Sequence, residues 1–257
     1  MSDKFNLFKQ LHVKGNPLLL YNIWDAGSAK AVVEAGAPVV ATGSKPIALS
    51  QGFPDGEVMP FDRVIDTVAT IVKAVDVPVS ADFEAGYAND DEGLLAANTA
   101  RLLDTGIIGL NLEDNIIKEG TLRDPEVQAN CIALLRKVAE DKQAALFINA
   151  RTDLFLREKD KSKHAGLMAD AITRAQHYAA AGADGFFAPG LDNAELIAQL
   201  CEATALPVNI VKVPTAPGNS TLAECGVSRI SYGPFAYVAL MQEFQERAKQ
   251  VMQRQVE

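Results

Sequence analysis

Short apolar runs recur along the chain, each bounded by turn residues and followed by a longer stretch with helical spacing. Eight such runs can be counted. They begin at Leu18 (LLLYN), Pro38 (PVVATG), Val77 (VPVSADF), Ile107 (IIGLNLED), Ala144 (AALFINAR), Ala183 (ADGFFAP), Leu206 (LPVNIV) and Ser228 (SRISYG). Between them apolar residues fall at i, i+3, i+4 and i+7, as in Val64, Val68, Ile71, Val72 and Val75, or Leu167, Ala171, Ile172, Ala175 and Ala179. Strands alternating with helices in this way predict a parallel sheet covered by helices. Gly36, Gly106, Gly182 and Gly226 stand where helical stretches end just ahead of a strand, the position a left-handed C-cap requires.

Eight βα units close most simply into one (β/α)8 TIM barrel, a single α/β domain over residues 1–257. An open doubly wound sheet is the alternative, and the lack of a GxGxxG after the first strand counts against its nucleotide-binding form. The last segment, PFAYVALMQEFQERAKQVMQRQVE, reads as an amphipathic helix that packs on the barrel or swaps with a neighbouring subunit. The charged stretch at residues 157–164 reads as a solvated loop rim.

Composition narrows the partners. A net charge of -9 sets most of the surface against phosphate backbones and anionic lipid, so neither nucleic acid nor membrane is expected as a partner. No signal peptide or long apolar run is read, and the expectation is a cytoplasmic protein. Cys131, Cys201 and Cys225 lack metal or disulfide spacing. His12, His164 and His177 fall in helices or loops rather than at strand ends.

In a closed barrel the strand C-termini converge on one mouth and build the active site. The strand ends carry Tyr21, Asn22, Trp24 and Asp25, then Thr42, Gly43 and Ser44, then Asp82 and Glu84, Glu113 and Asp114, and finally Arg151 and Asp153. Carboxylates facing a common volume repel one another unless a cation neutralises them. Oxygen donors without Cys or His point to a hard ion, Mg2+, with Mn2+ as the alternative. Asp82 and Glu84 stand at i, i+2, which within a strand puts both on one face; with Glu113 on the next strand they form the predicted metal site. Arg151 would offer a bidentate fork to a substrate carboxylate, or form a structural pair with Asp153 or Glu113. The Thr42–Ser44 bend offers backbone N–H groups for an oxyanion, and Asp55 in the second loop could reach the outer shell of the metal. Asn209 and Tyr232 are candidate substrate contacts.

The stretches YNIWDAGSA (21–29), ATGSKPIALSQGFPDGE (41–57), VPVSADFEAGYA (77–88), GLNLEDN (109–115), FINARTD (147–153) and VSRISYG (227–233) resemble the isocitrate lyase/phosphoenolpyruvate mutase superfamily over nearly the whole chain. The resemblance implies a barrel that binds Mg2+ through Asp82, with Glu84, Glu113 and Asp55 around it mostly through water. It implies that the backbone near Gly43 and Ser44, the Trp24 ring and Arg151 hold the substrate, and that a pyruvate enolate is the shared intermediate. Relatives of this kind assemble as oligomers, so a dimer or tetramer is expected.

The chain departs from the lyases after the fourth strand, where LEDNIIKEGTLRDPE (112–126) carries no cysteine or histidine in place of a KKCGH-like loop. The phosphonate enzymes place an Asn after a Lys in this loop. Here Lys118 is near, and Thr121 or Asn115 would have to substitute. Decarboxylation or a related carbon–carbon cleavage of a small 2-oxo or 2-hydroxy acid demands the fewest missing groups. The alternatives are a C–P phosphonomutase or phosphonopyruvate hydrolase, a Schiff-base aldolase using Lys212, and a non-catalytic barrel that binds a 2-oxo acid.

Overall fold

The computed structural model describes residues 3–254. The first half of the chain runs α1 (Asp3–Gln10), β1 (Leu18–Leu20), α2 (Ala26–Glu34), β2 (Val40–Ala41), α3 (Ser44–Ser50), α4 (Phe61–Ala74), β3 (Val79–Asp82), α5 (Glu92–Asp104) and β4 (Gly109–Glu113). A small antiparallel hairpin, β5 (Asn115–Ile116) and β6 (Thr121–Leu122), precedes α6 (Pro125–Asp141), β7 (Phe147–Arg151), α7 (Leu154–Arg157) and α8 (His164–Ala180). The chain continues through β8 (Gly185–Phe187), α9 (Ala194–Ala203), β9 (Val208–Val211), α10 (Asn219–Glu224), β10 (Arg229–Ser231) and α11 (Phe235–Arg254).

Every expected strand is present, and eight pair in parallel in the order β1-β10-β9-β8-β7-β4-β3-β2. The ring closes between the two ends of that order by one parallel bridge, Ile23 to Thr42. Ile23 N–H donates to Ala41 O at 2.9 Å and Gly43 N–H to Ile23 O at 3.1 Å. That closure makes a (β/α)8 barrel and sets aside the open sheet. The four glycines expected at helix ends all take the left-handed conformation, with φ between +89° and +98°.

Helices form where the apolar spacing and the caps agree. In α4 the buried side chains are Val64, Val68 and Ile71, one stripe of a helix whose other face is wet; burial of each contributes roughly 1.5–3 kcal/mol. Asp25, Asp91 and Asn193 cap α2, α5 and α9 by accepting from Ser28, Leu94 and Leu196 N–H. Asp25, read from sequence as a strand-end acid, is therefore a helix cap. Within residues 157–164, Lys161 pairs with Asp192, which tethers that rim to the loop after β8.

The barrel interior is layered. At the end where strands begin, Phe5 and Phe8 of α1 pack with Leu18, Leu20, Val39, Ala41, Ile108 and Phe147. A Cβ at Gly185 would stand 2.7 Å from Asn149 Oδ1, so glycine is required there. Toward the mouth the inward positions turn polar: Asn111, Asn149, Asn209, Arg229 and Ser231 are all buried.

The final helix takes neither a packed nor a solvated role completely. Trp24 meets Tyr237 edge-on at 5.1 Å, but Val238, Leu240, Met241, Phe244, Val251 and Met252 of α11 are exposed. Leu19 of β1 and Tyr21 just after it are exposed as well. Among the described residues no helix is long and apolar enough to cross a membrane.

Candidate active site

Strand β3 ends at Asp82, where alternation along VSAD turns the carboxylate into the barrel mouth. Its backbone N–H donates to Thr42 Oγ1 at 2.8 Å, and its Oδ2 accepts from Ser44 N–H (3.1 Å) and Ser44 Oγ (2.8 Å). Asn111 Nδ2 stands 3.4 Å from Oδ1. A Cβ at Gly43 would lie 3.1 Å from Pro46 Cδ, so a larger residue at this bend would have to displace the proline ring by a few tenths of an ångström.

Asp82 lines a cavity of about 270 Å3 together with Asn22, Gly43, Ser44, Lys45, Asp55, Asn111, Arg151 and Ser231, facing an apolar wall that includes Leu156, Phe187, Val211 and Phe235. Asp55 is an exposed member of this lining. Partial withdrawal from water and then the Asp82 charge raise the Asp55 pKa, while Lys45 and Arg151 oppose the rise.

The other two predicted metal ligands do not line this cavity. Glu84 follows the end of β3 and has φ +50°, so the two-residue periodicity that would align it with Asp82 has already stopped. Its Oε1 accepts from Gly56 N–H (3.2 Å) and Glu57 N–H (3.0 Å), and its Oε2 accepts from the Tyr87 hydroxyl. Burial pushes its pKa up to about 7, against the Tyr87 hydrogen bond, with Asp82 adding to the rise. Glu113 pairs with Arg151 Nη1 at 2.9 Å; burial raises its pKa and Arg151 opposes. The three carboxylates sense one another's charge, yet among the described residues no group of three or more His, Cys, Asp or Glu side chains is arranged to hold a metal. Of the acids named from sequence, Asp82 and Asp55 line the cavity, while Glu84 and Glu113 do not.

Arg151 faces that cavity with its fork already engaged. Nε donates to Asp153 Oδ1 (2.6 Å) and Nη2 to Asp153 Oδ2 (3.0 Å), so both structural pairings considered from sequence occur together. Burial alone would lower its pKa, but Glu113, Asp153 and Asp82 raise it well above the ordinary value.

Several expected contacts stand outside the cavity. Trp24 packs on Tyr237, and Tyr21 leans on Tyr232 at 5.6 Å. The Tyr232 hydroxyl accepts from Asn219 Nδ2 at 2.8 Å, and Thr42 spends its hydroxyl on Asp82. Asn209 is buried, its Oδ1 accepting from Ser231 Oγ at 3.2 Å. Lys118 lies on the β5–β6 hairpin and lines a separate small pocket with Glu57, Asn89 and Arg123. Lys212 Nζ donates to the carbonyls of Ala216 (2.8 Å) and Pro217, which leaves it no part in this cavity.

Sequence reading missed a clasp beside the site. Glu57 accepts from Ala85 N–H (3.0 Å) and Tyr87 N–H (2.7 Å), while Glu84 accepts from Gly56 and Glu57, so each loop's carboxylate fills the other's turn. Glu57, Glu84, Tyr87, Asn89 and Asp90 all have positive φ, a concentration of backbone strain that the clasp holds in place. Arg123 ties in the segment after β4, donating to Asp90 Oδ1 (2.7 Å), Glu113 O (3.1 Å), Gln128 Oε1 (3.0 Å) and Ala85 O (3.2 Å). Arg229 was also missed: alternation in SRISYG puts it on the inward face with Ser231, and it is fully buried on the barrel axis.

A barrel whose second, third and fifth strand ends supply Ser44, Asp82 and Arg151 to one cavity is matched by a known family profile. The profile of phosphoenolpyruvate phosphomutase matches residues 8–252. The chain belongs to the phosphoenolpyruvate phosphomutase family. Membership places it among the carbon–carbon lyases and mutases of the isocitrate lyase/phosphoenolpyruvate mutase superfamily. It is 34% identical to the uncharacterised protein Rv1998c of Mycobacterium tuberculosis, over 90% of this chain and 83% of that protein. It is 28% identical to an oxaloacetate decarboxylase of Pseudomonas savastanoi pv. phaseolicola, over 85% of this chain and 74% of the enzyme. A crystal structure from Burkholderia cenocepacia J2315, provisionally assigned as a phosphonomutase, superposes with a TM-score of 0.92 at 42% identity, covering 96% of this chain and all of that one.

Proposed function

We propose that this phosphomutase-family chain is a Mg2+-dependent lyase that breaks a carbon–carbon bond next to the carbonyl of a small 2-oxo or 2-hydroxy acid. The observation that carries the reading is that Asp82 and Asp55 share one cavity, the first anchored by Ser44 and the second raised in pKa by burial and then by the Asp82 charge. Mg2+ is commonly held by one or two carboxylates, with waters and substrate completing its shell. An all-oxygen set of two acids fits that ion, and Mn2+ by the same chemistry, without the three-acid cage. A relative of the same fold, phosphonopyruvate hydrolase, was crystallised with oxalate and Mg2+.

In this reading Asp82 would hold the ion directly and Asp55 through its outer shell. Bound there, the ion supplies positive charge beside the oxygen on which an enolate develops. Ser44 fixes the Asp82 carboxylate, and Gly43 lets the backbone bend close to the substrate. Arg151, oriented by Glu113 and Asp153, presents its guanidinium at the cavity wall. The apolar wall excludes water from the reacting carbon.

A C–P cleavage is the second reading, favoured by the 42% identity to the provisional phosphonomutase. Against it, Lys118 and the β5–β6 hairpin supply no group to the cavity. The exposed apolar side of α11 and the open outer face of β1 support a homo-oligomer in which such surfaces are covered.

Turnover of oxaloacetate, 2,3-dimethylmalate, 2-methylisocitrate and phosphonopyruvate, measured with Mg2+ and with EDTA, tests the reading. Metal-dependent C–C cleavage of one acid is expected, abolished in Asp82→Ala. Turnover of phosphonopyruvate alone would favour the second reading, and saturable binding without turnover of any would make the barrel a binding protein.

A further inference from the structure

The cavity holds two cationic side chains, Arg151 and Lys45. They differ in what remains for a ligand. Arg151 is bound to two carboxylates, Glu113 and Asp153. Lys45 has no carboxylate within pairing distance and no side-chain hydrogen bond among the described residues, and it acts on Asp55 only at longer range. It follows Ser44, the residue that holds Asp82, so it stands next to the proposed metal end of the cavity. Across from these groups the wall is apolar, formed by Leu156, Phe187, Val211, Val213 and Phe235.

We infer that Lys45 is a specificity-determining residue that receives a second anionic group of the substrate, and that the preferred acid is a dianion with no polar group on the side facing the apolar wall. The inference rests on the metal-dependent reading above. An ammonium without a protein partner at the edge of a cavity gains a charge-assisted hydrogen bond from an incoming carboxylate. A third carboxylate would meet either the apolar wall, with the desolvation cost of an unpaired charge, or the acids already paired with Arg151. An alkyl branch, by contrast, would be accepted by Leu156 and Val213.

Titration calorimetry in Mg2+ separates this inference from the reading beneath it. Oxalate presents two adjacent carboxylates and needs only the metal end, whereas 3,3-difluorooxaloacetate is a 2-oxo diacid whose fluorinated carbon cannot enolise. Lys45→Met is expected to weaken 3,3-difluorooxaloacetate by about 10- to 100-fold, the range of one lost hydrogen bond to a charged group. Oxalate affinity should change less than about twofold, and the melting temperature without ligand should stay that of the wild type. Equal weakening of both ligands, or of neither, overturns the Lys45 assignment. Displacement of oxalate by the tricarboxylate 2-methylisocitrate is expected to need at least about tenfold more ligand than displacement by 3,3-difluorooxaloacetate, and equal potency overturns the dianion preference. Failure of the wild type to bind oxalate in a Mg2+-dependent way would instead overturn the metal reading.

Discussion

Arg151 at the barrel mouth and Arg229 on the barrel axis are both held inside the ring of strands, yet their surroundings are opposite. Arg151 touches two carboxylates, and Glu113, Asp153 and Asp82 raise its pKa despite burial. Arg229 has no carboxylate within pairing distance; burial lowers its pKa to about 9, with Asp82 alone working against the fall. Of its donors, Nη2 reaches Asn111 Oδ1 at 3.3 Å, while Nε and Nη1 have no partner. Asn149 Nδ2 also donates to Asn111 Oδ1, at 2.9 Å, which turns the other end of that amide toward Asp82. Asp82 thus stands between an acid-rich mouth and an acid-poor axis. Charge in this core is tolerated in two ways: pairing at the mouth, and support of a distant carboxylate through an amide on the axis.

The comparison is broken most severely at the mouth. Arg151→Met leaves Glu113 and Asp153 buried without their partner and should cost about 3–5 kcal/mol in urea unfolding. A variant as stable as the wild type would show that the pairs carry no structural burden. The clasp comes next. Glu57→Ala removes acceptors from two backbone N–H groups and should cost about 2 kcal/mol, and Glu57→Gln should recover more than half of that because an amide oxygen still accepts both bonds. Equal melting temperatures for the two variants would show that the clasp does not act through those hydrogen bonds.

On the axis the sign changes. Arg229→Met replaces an unpaired buried cation with an apolar chain of similar length, so stability should match the wild type or exceed it by about 1 kcal/mol; a loss of the size seen for Arg151→Met would mean Arg229 is paired in solution. The smallest effect is on pH. His12 lies against Phe147 at 4.4 Å, and burial, then the charge of Arg229, lower its pKa to about 3. Between pH about 6.5 and 3 the unfolded chain binds a proton that the native state refuses, so this contribution is complete above pH 6.5 and is lost as the pH falls. His12→Phe should flatten the acid limb of the stability curve by about 1 kcal/mol per pH unit relative to the wild type, and Arg229→Met should raise the His12 pKa seen by NMR. An unchanged acid limb and an unmoved resonance would contradict the electrostatic link.

The barrel was legible because its signals are local: eight apolar runs, and glycines such as Gly36 and Gly182 at a turn that needs positive φ. Asp82, Ser44, Asp55 and Arg151 were legible as strand-end or loop positions, and the cavity gathers all four. Glu84 was misplaced because a two-residue period holds only within a strand, and the strand ends at Asp82. The direction of the Arg151 fork depends on which acid reaches it first, and Asp153 does so from two residues away. The Glu57 clasp joins loops 27 to 30 residues apart through backbone groups that carry no residue signature. Lys45 and Asn111 gain meaning only from the cavity they face.

The claim on which the rest depends is that Asp82 is the anchor of a divalent ion. Crystals soaked with Mn2+ and oxalate and measured at an anomalous wavelength test it directly. An anomalous peak about 2.0–2.3 Å from an Asp82 carboxylate oxygen, inside the cavity that Asp55 also lines, is the predicted result. A fully occupied peak bound elsewhere, or oxalate ordered in the cavity with no metal beside Asp82, would contradict the account.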